Sequence, residues 1–145
     1  MIVVDASALV ELLLETSKGR AIAARISDPT LGLHVPHLAD VEVAQALRRY
    51  VRDGEIEAAE AAVALDDFRA LDLQRHAHEP LLDRVWELRQ NLSAYDAVYV
   101  ALAEVLDTTL LTCDSRLARA PGAVRRVELV RSSSSRQSVT SHGLD

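Results

Sequence analysis

Met1-Ile2-Val3-Val4-Asp5-Ala6-Ser7-Ala8-Leu9 opens the chain. Ile2-Val3-Val4 is a short apolar run that reads as a buried strand. It stops at Asp5. Leu9, Leu12 and Leu13 then follow at helical spacing, so a helix begins near Ser7, whose hydroxyl suits a cap. A strand that ends on a carboxylate and passes straight into a helix begins an alternating fold. In open sheets of that kind, ligands bind beyond the carboxyl ends of the strands.

Outward from this stretch the alternation continues. A second helix is expected over 17–26, closed by Asp28-Pro29, and a second strand over 31–35. Pro36 suits the first turn of a helix over 37–52, with an apolar stripe of Leu38, Val41, Ala44 and Leu47 and a stop at Gly54. An alanine-rich helix follows over 56–70, a strand at Leu71-Asp72-Leu73, and a helix over 76–90. Ser93-Ala94-Tyr95-Asp96 resembles a capping box and opens a helix that runs to about Leu106. Leu110-Leu111-Thr112 is a strand ending at Cys113-Asp114. A short helix covers 115–119 and a last strand 127–130. The order predicts a three-layer α/β/α sandwich around a mostly parallel sheet of four to five strands.

Composition narrows the class. With 145 residues the chain is expected to form one domain over 1–130. Residues 131–145 hold six serines and almost nothing apolar, and are expected to form a disordered tail. One cysteine, Cys113, allows no internal disulfide and suits a reducing cytosol, so a cytoplasmic location is expected. No apolar run approaches a membrane span, and the opening Met1-Ile2-Val3-Val4-Asp5 has no basic n-region, so no secretion signal is expected. A net charge of −6 argues against broad nonspecific binding to nucleic acid. Arginine is nevertheless concentrated. Residues 114–136 carry six arginines against two acids, and Arg48, Arg49 and Arg52 form a second cluster.

Four acids carry most of the chemistry: Asp5, Glu42, Asp96 and Asp114. Asp5 and Asp114 follow strands, Asp96 lies in the first turn of a helix, and Glu42 flanks an apolar stripe. The expected fold brings all four to one edge of the sheet, where their repulsion calls for a divalent cation. Each has a plainer reading, as a cap, a turn residue or a solvated charge, but those readings do not explain their convergence. A Mg²⁺ or Mn²⁺ ion held by such oxygens would polarise a phosphodiester and acidify a bound water. Ser7, Ser93 and Thr112 stand where hydroxyls would orient the carboxylates, and Arg49 and Arg116 where cations would meet phosphate.

These stretches resemble the four motifs of PIN domains. Val3-Val4-Asp5-Ala6-Ser7-Ala8-Leu9 resembles the first and Val41-Glu42-Val43-Ala44-Gln45-Ala46-Leu47-Arg48-Arg49 the second. Tyr95-Asp96-Ala97-Val98-Tyr99-Val100-Ala101-Leu102-Ala103-Glu104 resembles the third, and Leu110-Leu111-Thr112-Cys113-Asp114-Ser115-Arg116-Leu117 the fourth. The short single-domain form is similar to the VapC toxins of bacterial toxin–antitoxin pairs. The resemblance implies a Mg²⁺- or Mn²⁺-dependent endoribonuclease that cuts tRNA or rRNA and slows translation. It also implies a homodimer neutralised by a VapB-like antitoxin. The family's acids carry over to Asp5, Glu42, Asp96 and Asp114. Many relatives have a further acid where this chain has Leu117, so the resemblance carries no two-metal claim.

Other classes fit less well. A receiver domain needs a lysine after a late strand, but the only lysine is Lys18, on an early helix. A haloacid-dehalogenase-like phosphatase needs an acid where Ser7 stands. His34, His37, His76, His78 and Cys113 show no paired zinc-finger spacing. A PIN nuclease that processes RNA without an antitoxin, or a PIN-fold module that binds without cutting, remains an alternative. Trp86 and Tyr99 read as core or dimer contacts.

Overall fold

The computed structural model describes residues 1–123 and 125–132, so most of the expected tail, from 133 on, lies outside the described residues. Along the chain come β1 (Ile2–Val4), α1 (Ala6–Leu13), α2 (Ser17–Arg25), β2 (Leu33–Pro36), α3 (Leu38–Arg52), α4 (Ala58–Ala70) and β3 (Leu73–His76). A 3-10 turn at Glu79–Leu81 leads into α5 (Leu82–Glu87). Then follow α6 (Ala94–Val105), β4 (Leu110–Thr112), α7 (Ser115–Arg119) and β5 (Val127–Leu129). The five strands form one sheet in the order β3-β2-β1-β4-β5, and every pairing is parallel.

β1 lies at the centre, flanked by β2 on one side and β4 on the other, so strand order reverses there. Val3 sits opposite both His34 and Leu110. Right-handed crossovers put the helices between β1, β2 and β3 on one face and those after β3 on the other. The packing agrees: α1 meets α2, α3 and α4, whereas α5 packs on α6, and α6 rests on β1, β2 and β4. From Ala97 to Ala103 every residue of α6 is buried, as expected of a helix covered on all sides. The carboxyl ends of β1 and β4 open onto the crevice at the switch point, where open α/β sheets bind ligands.

Local chemistry explains several boundaries. Thr16 Oγ1 accepts from Gly19 N at 3.0 Å and caps α2, and Ser93 Oγ accepts from Asp96 N at 3.2 Å and caps α6. A Cβ at Gly19 would lie 2.0 Å from the Glu11 carbonyl oxygen, so glycine is what lets α2 approach α1 so closely. Gly54 closes α3 with φ +72, a conformation that side chains disfavour.

Three expectations are corrected. The stripe on α3 is Ala39, Val43 and Leu47, and Val41 is 67% exposed. The sequence allows spacings of three or four from Leu47, and packing selects the line at spacing four. The expected helix over 76–90 is broken: His76 ends β3, Pro80 sits in the 3-10 turn, and α5 is only six residues long. Ser7 is not the cap of α1; Asp5 occupies that position, and its side chain caps nothing. Among the described residues no helix is long and apolar enough to cross a membrane.

Candidate active site

Asp5 begins the site. It is the residue after β1, its backbone N–H donates to Leu111 O at 2.9 Å, and it is 7% exposed. Its carboxylate is claimed by two hydroxyls. Ser7 Oγ and Thr112 Oγ1 each donate to Asp5 Oδ2 at 2.7 Å. Those hydroxyls are in turn anchored, since Cys113 N donates to Ser7 Oγ at 3.1 Å and Asp114 N to Thr112 Oγ1 at 3.0 Å. The strand end of β4 therefore fixes the rotamer of a carboxylate on β1. Among the described residues no side chain donates to Oδ1. Burial raises the Asp5 pKa, the two hydroxyls oppose that rise, and the negative charge of Asp96 adds to it.

The other three acids face the same cleft, which encloses about 850 Å³ and is lined by all four. Glu42 reaches it from the flank of α3 beside the buried line of Ala39 and Val43. Tyr99 Oη, on the buried helix α6, donates to Glu42 Oε1 at 2.7 Å. Burial raises the Glu42 pKa; the Tyr99 bond lowers it, while Asp5 and Asp96 raise it again. Asp96 stands in the first turn of α6. Its pKa is raised by burial and then by Asp114, against smaller opposing effects of Ser93 and Arg116. Asp114 is the N-cap of α7, with Oδ1 accepting from Arg116 N at 2.9 Å. The Arg116 guanidinium is 3.7 Å from the same oxygen, and its side chain is 89% exposed. Arg49, from the last turn of α3, also borders the cleft.

The expected four-way convergence is looser than the sequence suggests. Among the described residues no three His, Cys, Asp or Glu side chains stand together closely enough to hold one ion. Each of three acids has its own partner: the Tyr99 phenol holds Glu42, the start of α7 holds Asp114, and two hydroxyls hold one oxygen of Asp5. The donor set still fits a small hard cation. Mg²⁺ keeps several waters and takes only one or two carboxylates from a protein. Asp5, through Oδ1, and Asp96 offer hard oxygens, and the pKa of each is raised first by burial and then by a neighbouring carboxylate.

Ser7 and Thr112 contact Asp5 as expected, and Ser93 both accepts from the Asp96 backbone N–H and lowers the pKa of its carboxyl. Tyr99 was missed as a site residue. It is fully buried, as a core residue should be, but its hydroxyl meets Glu42. No local signal marks that contact, because 57 positions separate the partners. Trp86 is 68% exposed and is not core. The histidines pair with each other and with backbone: His34 Nδ1 and His76 Nε2 are 2.8 Å apart, and Leu38 N donates to His78 Nε2 at 2.9 Å. Cys113 borders the cleft, but burial and Glu11 push its pKa up to about 11, so its thiol stays protonated near neutrality and is no nucleophile.

The chain is similar to several known proteins. A family model described as the PIN domain matches residues 2–123. Ribonuclease VapC9 of Mycobacterium tuberculosis is 47% identical over 117 residues, covering 81% of this chain and 88% of that protein. Ribonuclease VapC1 of the same organism is 44% identical over 130 residues, covering 89% and 97%. Among solved structures, PAE2754 from Pyrobaculum aerophilum superposes with a TM-score of 0.62 at 30% identity, over 84% of this chain and 86% of that one.

Proposed function

The chain belongs to the PIN-domain family, and on that premise we propose that it is a VapC-type endoribonuclease, the toxin of a toxin–antitoxin pair. The observation that carries the reading is the cleft at the switch point lined by Asp5, Glu42, Asp96 and Asp114, with Asp5 oriented by two anchored hydroxyls.

Asp5 and Asp96 would hold a Mg²⁺ or Mn²⁺ ion, with Glu42 and Asp114 beside it. When bound, the ion would polarise the phosphodiester and supply a water of lowered pKa. The chain's own residues would do the rest. Ser7 and Thr112 keep Asp5 aimed into the cleft. Glu42, whose burial makes it a better proton acceptor than an exposed glutamate, would take the proton of the attacking water, with Tyr99 holding it in place. Arg49 and Arg116 would meet RNA phosphates at the rim.

The substrate would be a structured RNA such as tRNA or rRNA, cut in the cytoplasm to slow translation. A VapB-like antitoxin would neutralise the enzyme, and two copies would pair as a homodimer. Purified protein should cleave RNA with Mg²⁺ or Mn²⁺ and stop in EDTA. Asp96→Asn should abolish cleavage without unfolding the chain, because it removes charge and almost no volume. Cleavage that persists both in chelator and in the variant would refute the proposal.

A further inference from the structure

Next to the acidic cleft lies a second cavity of about 440 Å³, walled by residues near the ends of β4 and β5. Three residues border both spaces: Lys18, Cys113 and Ser115. The two linings differ in sign. The main cleft sets the four acids and Glu11 against Lys18, Arg49 and Arg116, a formal −2. The second cavity has Lys18 and Arg131 and no acid, a formal +2. Its remaining polar side chains besides Cys113 are the hydroxyls of Ser115 and Ser132, which suit phosphate oxygens. The chain's only lysine thus stands on the divide between the two spaces, half-buried in the first turn of helix α2. Among the described residues neither Lys18 nor Arg131 makes an ion pair.

We propose that this cavity is a phosphate-binding subsite for the substrate strand, in which Lys18 and Arg131 hold a backbone phosphate next to the one being cut. The proposal rests on the nuclease reading. A polyanion crossing a lining of net negative charge is repelled everywhere except where metal or cations compensate. A neighbouring pocket of opposite sign draws the flanking nucleotide out of the acidic space and fixes the direction in which the strand leaves it. Recognition here is of phosphate, not base, since the lining offers cations and hydroxyls and no aromatic ring. The subsite therefore sets strand polarity and affinity, and leaves sequence choice to other surfaces.

The test uses the full chain in EDTA, so that binding is read without cleavage, and a fluorescent single-stranded RNA of mixed sequence. Lys18→Gln and Arg131→Gln should each weaken binding and lower the slope of log affinity against log salt by roughly 0.7, the single-strand value for one phosphate contact. Arg119→Gln removes an exposed arginine that borders neither cavity and should leave the slope unchanged. Thermal unfolding of each variant controls for folding. An RNA with one neutral methylphosphonate beside the cut position should cost wild type what Lys18→Gln costs, and should add nothing in that variant. Unchanged slopes in both variants, or an equal fall in Arg119→Gln, would overturn the subsite while metal-dependent cleavage left the nuclease reading standing. Wild-type protein that neither binds nor cuts RNA would overturn both.

Discussion

Asp5 shows how much depends on single atoms. A carboxylate this buried is costly in its charged form, and the two hydroxyl bonds to Oδ2 offset part of that cost. Thr112→Val removes one of them and also leaves Asp114 N without its acceptor. It should destabilise the fold by about 1–3 kcal/mol in urea unfolding. It should also move the acid limb of the pH–rate profile upward, because the lost bond was lowering the Asp5 pKa. Tyr99→Phe keeps the buried ring and deletes only the hydroxyl that meets Glu42. The Glu42 pKa should rise further, so activity at pH 5 should fall more than activity at pH 8. A uniform loss across pH would mean that Tyr99 acts only through packing.

At the scale of elements, helix ends decide where the acids point. The Ser93 cap fixes the first turn of α6 and with it Asp96. Ser93→Ala should cost about 1 kcal/mol of stability, and a larger share of kcat than so exposed a site would suggest. The start of α3 is held differently: Leu38 N donates to His78, 40 positions further on, so the helix that carries Glu42 is tied to the turn after β3. The contact of α1 with α2 is held by the absence of a side chain. Gly19→Ala would drive a Cβ into the Glu11 carbonyl and should destabilise the fold by about 1–3 kcal/mol, whereas the open surroundings of Gly54 leave only the strain of its φ.

The whole molecule concentrates negative charge at one edge of its sheet, and this gives its stability an unusual pH dependence. Asp5, Glu42 and Asp96 all have pKa values raised above their ordinary 3.8 to 4.5, with burial the largest cause. From that range up to the raised values the folded chain binds more protons than the unfolded one. Their contribution to stability therefore falls as pH rises through the window, the reverse of the usual ion-paired carboxylate. In EDTA, Asp96→Asn should unfold at a higher temperature than wild type at pH 7, and the gap should close as the pH approaches 4. Mn²⁺ should raise the melting temperature of wild type at pH 7 more than at pH 5, because proton and cation compete for the same oxygens. The exposed Trp86 belongs to this scale too. Trp86→Glu should leave the chain folded and, if the proposed homodimer forms through α5, shift sedimentation toward the monomer.

Periodicity and punctuation in the chain were enough for the alternation of strands and helices, the parallel sheet and the siting of Asp5 and Asp114 at strand ends. These are local properties: a run of apolar residues, a cap or a proline acts on its neighbours. Local pattern could not choose between two faces of α3, since spacings of three and four from Leu47 read alike until the sheet and α1 cover one of them. Nor could it join Tyr99 to Glu42, His78 to the start of α3, or Thr112 to Asp5, whose partners lie 57, 40 and 107 positions apart. Such contacts exist only once burial removes water as the competing partner and forces each polar group to find another within the fold. That same step turned four scattered acids into one cleft and set a cationic pocket beside it.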